Sequence, residues 1–253
     1  MKKDKIDVIL LAAGYSTRLY PLTENFPKPL LEVGGKPVIT NIVEKLENLK
    51  ELNKIYVVTN NRYFNHFTEW KKDLKTNLRI EILNDGTLSE KDKLGAIGDI
   101  YFTIKEKSIT NPILMIGGDN LFDFQLNYIM SYFKEKGKDV VSVSKVEDKN
   151  KLRHLGVVNL DKNNKIIFFK EKPDNPFSNL ATNCIHLYTE ETVTMFKEYL
   201  MQGNNPDQPG RFLEWLYPKK EVYGFITNGK IIDIGTHETL EKARREFTFS
   251  SCS

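Results

Sequence analysis

Three stretches of this chain hold residue types that can do chemistry. The first is Leu11-Ala12-Ala13-Gly14-Tyr15-Ser16-Thr17-Arg18-Leu19, followed by Pro27-Lys28-Pro29-Leu30-Leu31. An apolar run ends there in Ala-Ala-Gly. Small side chains let backbone N–H groups approach a ligand closely, and Gly14 can take a positive φ. Backbone donors after a strand form a nest for an anion, and parallel sheets bind ligands at the carboxyl ends of their strands. Ser16 and Thr17 add hydroxyl donors, while Arg18 and Lys28 add the positive charge a triphosphate needs. No Gly-Lys-Ser/Thr follows, so this is not a Walker loop, and the Gly-x-Gly-x-x-Gly dinucleotide fingerprint is absent. Taken alone, Ala-Ala-Gly fits a plain glycine turn with two surface cations equally well.

The second stretch supplies acids. Ile113 to Ile116 is an apolar strand-like run that enters Gly117-Gly118-Asp119-Asn120. A carboxylate just past a strand end suits Mg²⁺, which takes one or two carboxylates and completes its octahedron with phosphate oxygens and water. Far along the chain, Ile231-Ile232-Asp233-Ile234-Gly235-Thr236 sets an acid inside apolar neighbours. An ionised group there is costly unless paired or metal-bound. The plainer readings are a turn Asp at 119 and an edge-strand Asp facing water at 233.

In the third stretch, Phe169-Lys170-Glu171-Lys172-Pro173 ends a strand and Gly156-Val157-Val158 begins one. A carboxylate can accept two hydroxyl hydrogen bonds, and an ammonium can neutralise a phosphate monoester. Ser178 to Asn183 is a polar stretch nearby in sequence, followed by Cys184, whose plain reading is a buried core thiol. Asn84-Asp85-Gly86 opens a polar loop that runs to Gly95-Ala96 at the start of a helical pattern.

Taken together these strings resemble the signature of the sugar-phosphate nucleotidylyltransferases, L-A-A-G-x-G-T-R-L-x-P-L-T followed by P-K-P-L. Ser16 stands where many members have glycine. Matching motifs recur from Leu10 to Thr236. The resemblance implies an α/β, Rossmann-like nucleotide-diphospho-sugar transferase fold with a mixed, mostly parallel central sheet flanked by helices. It implies catalytic roles for Arg18, Lys28, Asp119 and Lys172, and Mg²⁺ on Asp119 and Asp233. Leu11, Ala12, Ala13, Gly14, Asn84, Gly86 and Gly95 would bind the nucleotide. Asn120, Gly156, Glu171, Lys172, Thr182 and Asn183 would bind the sugar phosphate. The implied reaction joins an NTP to a sugar 1-phosphate and releases pyrophosphate, with glucose 1-phosphate and dTTP or UTP as the first pair to expect. Mannose 1-phosphate with GTP, a cytidylyltransferase acting on a non-sugar phosphate, and a silent regulatory subunit are the alternatives. Retention of Arg18, Lys28, Asp119, Lys172 and Asp233 argues against the last.

The spacing of apolar residues says which elements must position these groups. Asp7–Ala12, Lys54–Thr59, Arg79–Leu83 and Pro112–Ile116 read as short buried strands. Ile39, Ile42, Val43, Leu46 and Leu49 lie on one helical face after Pro37, and Leu94 to Ile104 and Phe124 to Phe133 read as helices. Such alternation predicts a mostly parallel sheet with helices on both faces. Past Asp139 the pattern becomes four strands in near succession, with a hairpin turn at Asp161-Lys162-Asn163-Asn164. A helix is predicted over Glu190 to Met201, then a loop from Gly203 to Gly210 rich in Gly, Asn, Pro and Gln. Helix, strand, strand and helix follow to Phe247, with Ser250 to Ser253 frayed.

The 253 residues are 40% hydrophobic and 28% charged, with a formal net charge of +3. That predicts one domain over 1–253, with a nucleotide part to about 135, a sugar-phosphate part after it and no β-helix extension. Basic residues are spread along the chain, so no nucleic-acid partner is expected. The run Val8 to Ala13 is too short for a signal core or a membrane span. Two cysteines, Cys184 and Cys252, lack metal spacing and fit a reducing compartment. Together these give a cytoplasmic protein without a membrane partner; a homo-oligomer is left open, since the sequence does not give the oligomeric state. The four histidines, His66, His154, His186 and His237, show no metal-pair spacing.

Overall fold

The computed structural model describes residues 5–247. In chain order the strands are β1 Ile6–Leu11, β2 Glu32–Val33, β3 Lys36–Pro37, β4 Leu52–Thr59, β5 Ile80–Asn84, β6 Ile113–Gly117 and β7 Asn120–Phe122. They continue as β8 Asp139–Lys145, β9 Gly156–Leu160, β10 Ile166–Glu171, β11 Leu180–Tyr188, β12 Val222–Ile226 and β13 Ile231–Asp233. The helices are α1 Val38–Leu46, α2 Phe64–Asp73, α3 Gly95–Lys107, α4 Leu126–Lys136, α5 Lys149–Leu152, α6 Glu190–Met201, α7 Pro209–Leu216 and α8 His237–Glu246. Cys252 and the expected frayed end, Ser250 to Ser253, lie outside the described residues.

Among the described residues nine strands form one sheet. Its path is β10-β9-β11-β6-β1-β4-β5, with β8 joined to β11 and β12 joined to β8. β6, β1, β4 and β5 pair in parallel. β11 then runs antiparallel to β6, β8 and β9. Helical crossovers return the chain in the same direction within the parallel half, whereas the hairpin at Asp161 reverses it between β9 and β10, which pair antiparallel. In that hairpin Asp161 N–H donates to the Lys165 carbonyl at 2.9 Å, and Asn164 takes φ 63°.

Alternation along β1 shows how the core is divided. Val8 and Leu10 face a cluster with Ile39 and Ile42 of α1, Phe67 of α2 and Ile129 of α4. Ile9 faces the other side, with Ile97 of α3, Val193 of α6 and Phe212 of α7. A strand covered on both faces is apolar on both, which is why Val8 to Leu11 read as a continuous run; Asp7, at the start of the strand, is buried with its carboxylate accepting from the Asn53 and Asn111 amides, both at 2.7 Å. A third cluster joins Leu19, Leu31 and Val38 to Leu121, Ile232, Ile234 and Leu240. This packing brings the segment after β1 against β7, β13 and α8, elements remote from it in sequence. No helix among the described residues is long and apolar enough to cross a membrane.

The expected elements differ from the observed ones mainly by additions. Helix α2 carries a weak apolar face, with Phe67 and Trp70 buried among polar residues. The two-residue strands β2 and β3 and the short β7 have too few residues to show a period. Helix α7 begins at Pro209, inside the segment expected to be loop, because proline suits the first turn of a helix.

Candidate active site

The carboxyl ends of β1, β4, β5 and β6 open onto one cleft. Leu11 ends β1 beside Gly117, and its carbonyl accepts the Gly118 N–H at 2.9 Å. A Cβ on Gly118 would stand 2.8 Å from that carbonyl, so only glycine lets the two strand ends close. Ala12 donates its N–H to the Val58 carbonyl at 2.8 Å, and the Ala13 carbonyl accepts from Asn60 Nδ2 at 2.8 Å. Those two residues are therefore anchored to β4 and its following turn, while Gly14 is exposed with open space around it. Gly14 could take left-handed backbone at no steric cost, yet it is not among the residues with positive φ. Left-handed backbone falls at Ser16 instead, with φ 51° and ψ 40°. This is the position where the family signature has glycine, and the turn shape gives the physical reason: a Cβ is disfavoured there.

Lys28 begins a short 3₁₀ turn, Lys28–Leu30, and its ammonium pairs with Asp119 Oδ2. The same nitrogen lies 3.9 Å from Asp233 Oδ1. Two acids 114 positions apart thus converge on one cation, because β13 pairs antiparallel with β7 and sets Asp233 opposite Asn120. Ile234 N–H also donates to the Asp119 carbonyl at 3.2 Å. Burial alone would lower the Lys28 ammonium, yet Asp119 and Asp233 outweigh it and hold its pKa above the ordinary lysine value. Enclosure in the cleft and the Asp119 carboxylate raise the Asp233 carboxyl, against the pull of Lys28 and Arg18. Asp233 was expected to be costly inside an apolar run. Strand alternation reduces that cost without removing it: Ile232 and Ile234 are buried in the core, while the Asp233 side chain is 60% exposed beside Lys28. Arg18 reaches the same place, with its guanidinium nitrogen 3.5 Å from where a Cβ on Gly235 would sit.

These carboxylates are hard oxygen donors of the kind magnesium takes, with room left for phosphate oxygens. The Lys28 ammonium already shows that the bay between them favours a positive charge. Asp119 and Asp233 are therefore the residues fitted to hold a divalent cation. No larger cluster of His, Cys, Asp or Glu able to hold a metal occurs among the described residues.

On the other side of the cleft, sheet register gathers the third set. Gly156 of β9 lies opposite Glu171 of β10 and opposite Thr182 of β11. A Cβ on Gly156 would stand 2.5 Å from the Phe169 ring and 2.7 Å from Thr182 Oγ1, so glycine is required by packing. Glu171 is 7% exposed, and its carboxylate accepts no hydrogen bond from the described residues. Burial raises its pKa, while Lys172 and Arg211 oppose the rise. Lys172 is exposed and takes φ 49°, a left-handed backbone rare for a side chain of its size. Such strain is held where the surrounding structure requires it.

The remaining expected residues go elsewhere. Asn120 donates its amide to the Gly117 carbonyl at 3.2 Å, and so braces the turn that carries Asp119. The Asn183 amide donates to Ser142 and Ser144 at 3.2 and 2.7 Å, and the Thr182 hydroxyl donates to the Gly156 carbonyl at 3.4 Å. Asn84 donates to Asn61 Oδ1 and accepts from Gly86 N–H, both at 2.9 Å, so its amide shapes its own turn. Gly86 is exposed with φ 82°. Gly95 has φ 77° and opens α3, pressed against the Pro206–Asp207 backbone. Cys184 packs below the acids, its sulfur 3.6 Å from Met115 Sδ, and burial pushes its thiol up and out of the reactive range. Tyr15 and Tyr20 flank the loop, where the sequence allows either a lining of the nucleotide pocket or plain packing; Tyr15 is buried with its hydroxyl 3.2 Å from Thr87 Oγ1, and Tyr20 is exposed.

A sequence profile of the nucleotidyl transferase family matches residues 7–249. The chain belongs to that family. This nucleotidyl transferase is 35% identical over 235 residues to a bifunctional protein GlmU of Methanococcus maripaludis, an alignment covering 91% of the chain and 51% of that relative. It is 27% identical over 262 residues to glucose-1-phosphate adenylyltransferase of Bacillus mycoides, covering 97% of the chain and 68% of the relative. The chain thus spans about half the length of its GlmU relatives. Its fold is shared with a UDP-glucose pyrophosphorylase solved with UDP-glucose, at TM-score 0.77 and 22% identity over 95% of this chain and 97% of that one. A putative glucose-1-phosphate thymidylyltransferase of Bacillus anthracis gives TM-score 0.76 and 23% identity, covering 97% of each chain.

Proposed function

We propose that this nucleotidyl transferase joins a nucleoside triphosphate to a sugar 1-phosphate. The observation that carries this reading is the convergence of Asp119 and Asp233 on Lys28 beside the Ala-Ala-Gly turn, together with the buried carboxylate of Glu171, which accepts no hydrogen bond from the described residues and lies near the charges of Lys172 and Arg211. The names of the relatives, which include adenylyl- and thymidylyltransferases of glucose 1-phosphate, support the same reaction class.

In this reading a phosphate oxygen of the sugar attacks the α-phosphorus of the triphosphate in line. The bond between the α-phosphorus and the bridging oxygen breaks, and pyrophosphate leaves with that electron pair. The attacker is already anionic, so no protein nucleophile or base is needed, and catalysis is positioning with charge neutralisation. Arg18 and the exposed Gly14 backbone hold the β- and γ-phosphates. Lys28 and Lys172 offset the repulsion between two anions that must meet. Glu171 takes sugar hydroxyls, for which a buried carboxylate without protein donors is suited. Magnesium, held by Asp119 and Asp233, supplies further neutralisation of the polyphosphate when bound. Glucose 1-phosphate with dTTP or UTP is the first pair to try.

A matrix of triphosphates against sugar 1-phosphates, scored for pyrophosphate, tests the reading. It should show magnesium-stimulated release with at least one pair. In Arg18→Ala and Asp233→Ala the rate should fall on the order of 10²–10³-fold, as for loss of an electrostatic donor. Activity of both variants within about twofold of wild type, or silence across the whole matrix, would sink it.

A further inference from the structure

Two glycine contacts bracket one short segment, Gly95 packing on its start and Gly210 at its end packing on Glu171. A Cβ on Gly95 would stand 2.7 Å from the Pro206 carbonyl oxygen and 2.8 Å from Asp207 Cα. A Cβ on Gly210 would overlap the Glu171 carboxylate outright. Residues 206 to 210 are all that separates the two contacts. At the first end the backbone of α3 is bound to the segment: Ile97 N–H donates to the Pro206 carbonyl at 2.8 Å, and Ala96 N–H to the Asp207 carbonyl at 3.5 Å. Lys93 Nζ adds an ion pair to Asp207 at 2.9 Å. At the second end Gly210 is buried in the first turn of α7, which packs on β10. Pro206 and Pro209 fix their own φ angles, and the Tyr199 hydroxyl donates to the Asn205 carbonyl at 2.6 Å just upstream. The segment is therefore short, stiff and anchored on both halves of the molecule.

We infer that residues 206–210 are a strap that sets the position of Glu171 relative to the Gly95 end of α3, and that Gly210 is a positioning residue acting through Glu171. The inference rests on the proposed role of Glu171 in taking sugar hydroxyls. With no side chain at 210, helix α7 presses directly on the carboxylate and fixes how far it reaches into the cleft. Because the same segment is hydrogen-bonded to α3, a displacement at one end is passed to the other. The spacing between the sugar side and the α3 side is then a property of the chain and not of the bound substrates.

Steady-state kinetics on Gly210→Ala should raise KM for the sugar 1-phosphate about tenfold or more and leave KM for the triphosphate within about twofold. Adding Glu171→Asp, whose shorter side chain vacates the space the new methyl needs, should recover part of that loss relative to Gly210→Ala alone. Pro206→Gly keeps the carbonyl that α3 uses but softens the strap. It should raise KM for the sugar 1-phosphate about threefold or more, although position 206 contacts only the α3 side. Equal rises in both KM values, no recovery in the double variant, or an unchanged sugar-phosphate KM in either single variant overturns the strap. If Gly210→Ala does not fold, Pro206→Gly decides alone.

If the wild-type protein turns over no pair of substrates, the proposed function fails, and the strap is then judged by amide hydrogen exchange on the ligand-free chain. Gly210→Ala, or Pro206→Gly in its place, should speed exchange of the Ile97 amide by about tenfold. Unchanged exchange there overturns the inference independently of any activity.

Discussion

Lys28 holds two carboxylates that would otherwise repel each other, and this fixes what its removal should do. In Lys28→Met, Asp119 and Asp233 lose the ammonium that sits between them. The variant should be less stable than wild type in magnesium-free buffer and should regain more stability when magnesium is added. Thermal melts with and without the metal check this, because a ligand bound only to the folded state raises Tm by mass action. A magnesium response no larger than that of wild type would count against a cation bay at this place. Ser16 makes a prediction of unusual sign. Its left-handed backbone costs about 1–2 kcal/mol in an L-residue, and its hydroxyl makes no capping bond. Ser16→Gly should therefore leave the protein as stable as wild type or raise its unfolding free energy by up to about 1 kcal/mol, after the extra entropy of glycine in the unfolded chain is counted. Urea unfolding of the two proteins compares them directly, and a clear loss of stability would contradict the steric account.

Strand β11 shows how an element can carry a pH dependence that no active-site residue explains. His186 is buried between the Tyr188 hydroxyl at 2.8 Å and the Asn183 carbonyl at 2.9 Å. Burial lowers its pKa from 6.5 to about 4, against the pull of the Asn183 carbonyl. The unfolded chain therefore binds a proton that the folded chain refuses between those values. Stability from this site is full above pH 6.5 and is lost as the pH falls toward 4. At pH 5 the loss amounts to roughly 2 kcal/mol. Carboxyls raised in the folded state, Asp233 and Asp99 among them, act with the opposite sign over this range, so the test is a difference: from pH 7 to pH 5 the unfolding free energy of wild type should change less favourably than that of His186→Gln by about that amount in urea unfolding, and equal changes would contradict the assignment. Strand ends make the complementary point about legibility. The Ala-Ala-Gly turn and the Gly-Gly-Asp turn were readable because Val8 to Leu11 of β1 and Ile113 to Ile116 of β6 are unbroken apolar runs that lead into them. Helix α2 and the strand β7 were not, since their burial comes from neighbours distant in sequence. Asn84 and Asn120 had the right residue type, but local hydrogen bonds take up their amides.

At the scale of the molecule, β11 joins the parallel half to the antiparallel half, so the sheet runs unbroken across both. Such continuity predicts a single cooperative unfolding transition. The two tryptophans report it separately: Trp70 stands on α2, which packs on β5 of the parallel half, and Trp215 on α7, which packs on β10 at the other end of the sheet. Single-tryptophan variants, Trp70→Phe and Trp215→Phe, should give coincident urea midpoints once each is compared with its own circular-dichroism curve. Separate midpoints would mean that the halves unfold as independent units. Residue type and order by themselves determined the alternation of strand and helix, the phosphate turn, and the candidate acids and cations, because apolar period and small-residue runs are local properties. Tertiary structure alone decided that Asp119 and Asp233 share one lysine, that Asn183 turns toward β8, and that residues 206–210 bridge Gly95 and Glu171. Those facts depend on strand register and on contacts between segments far apart in the chain, and nothing in a local window of sequence encodes the distance between them.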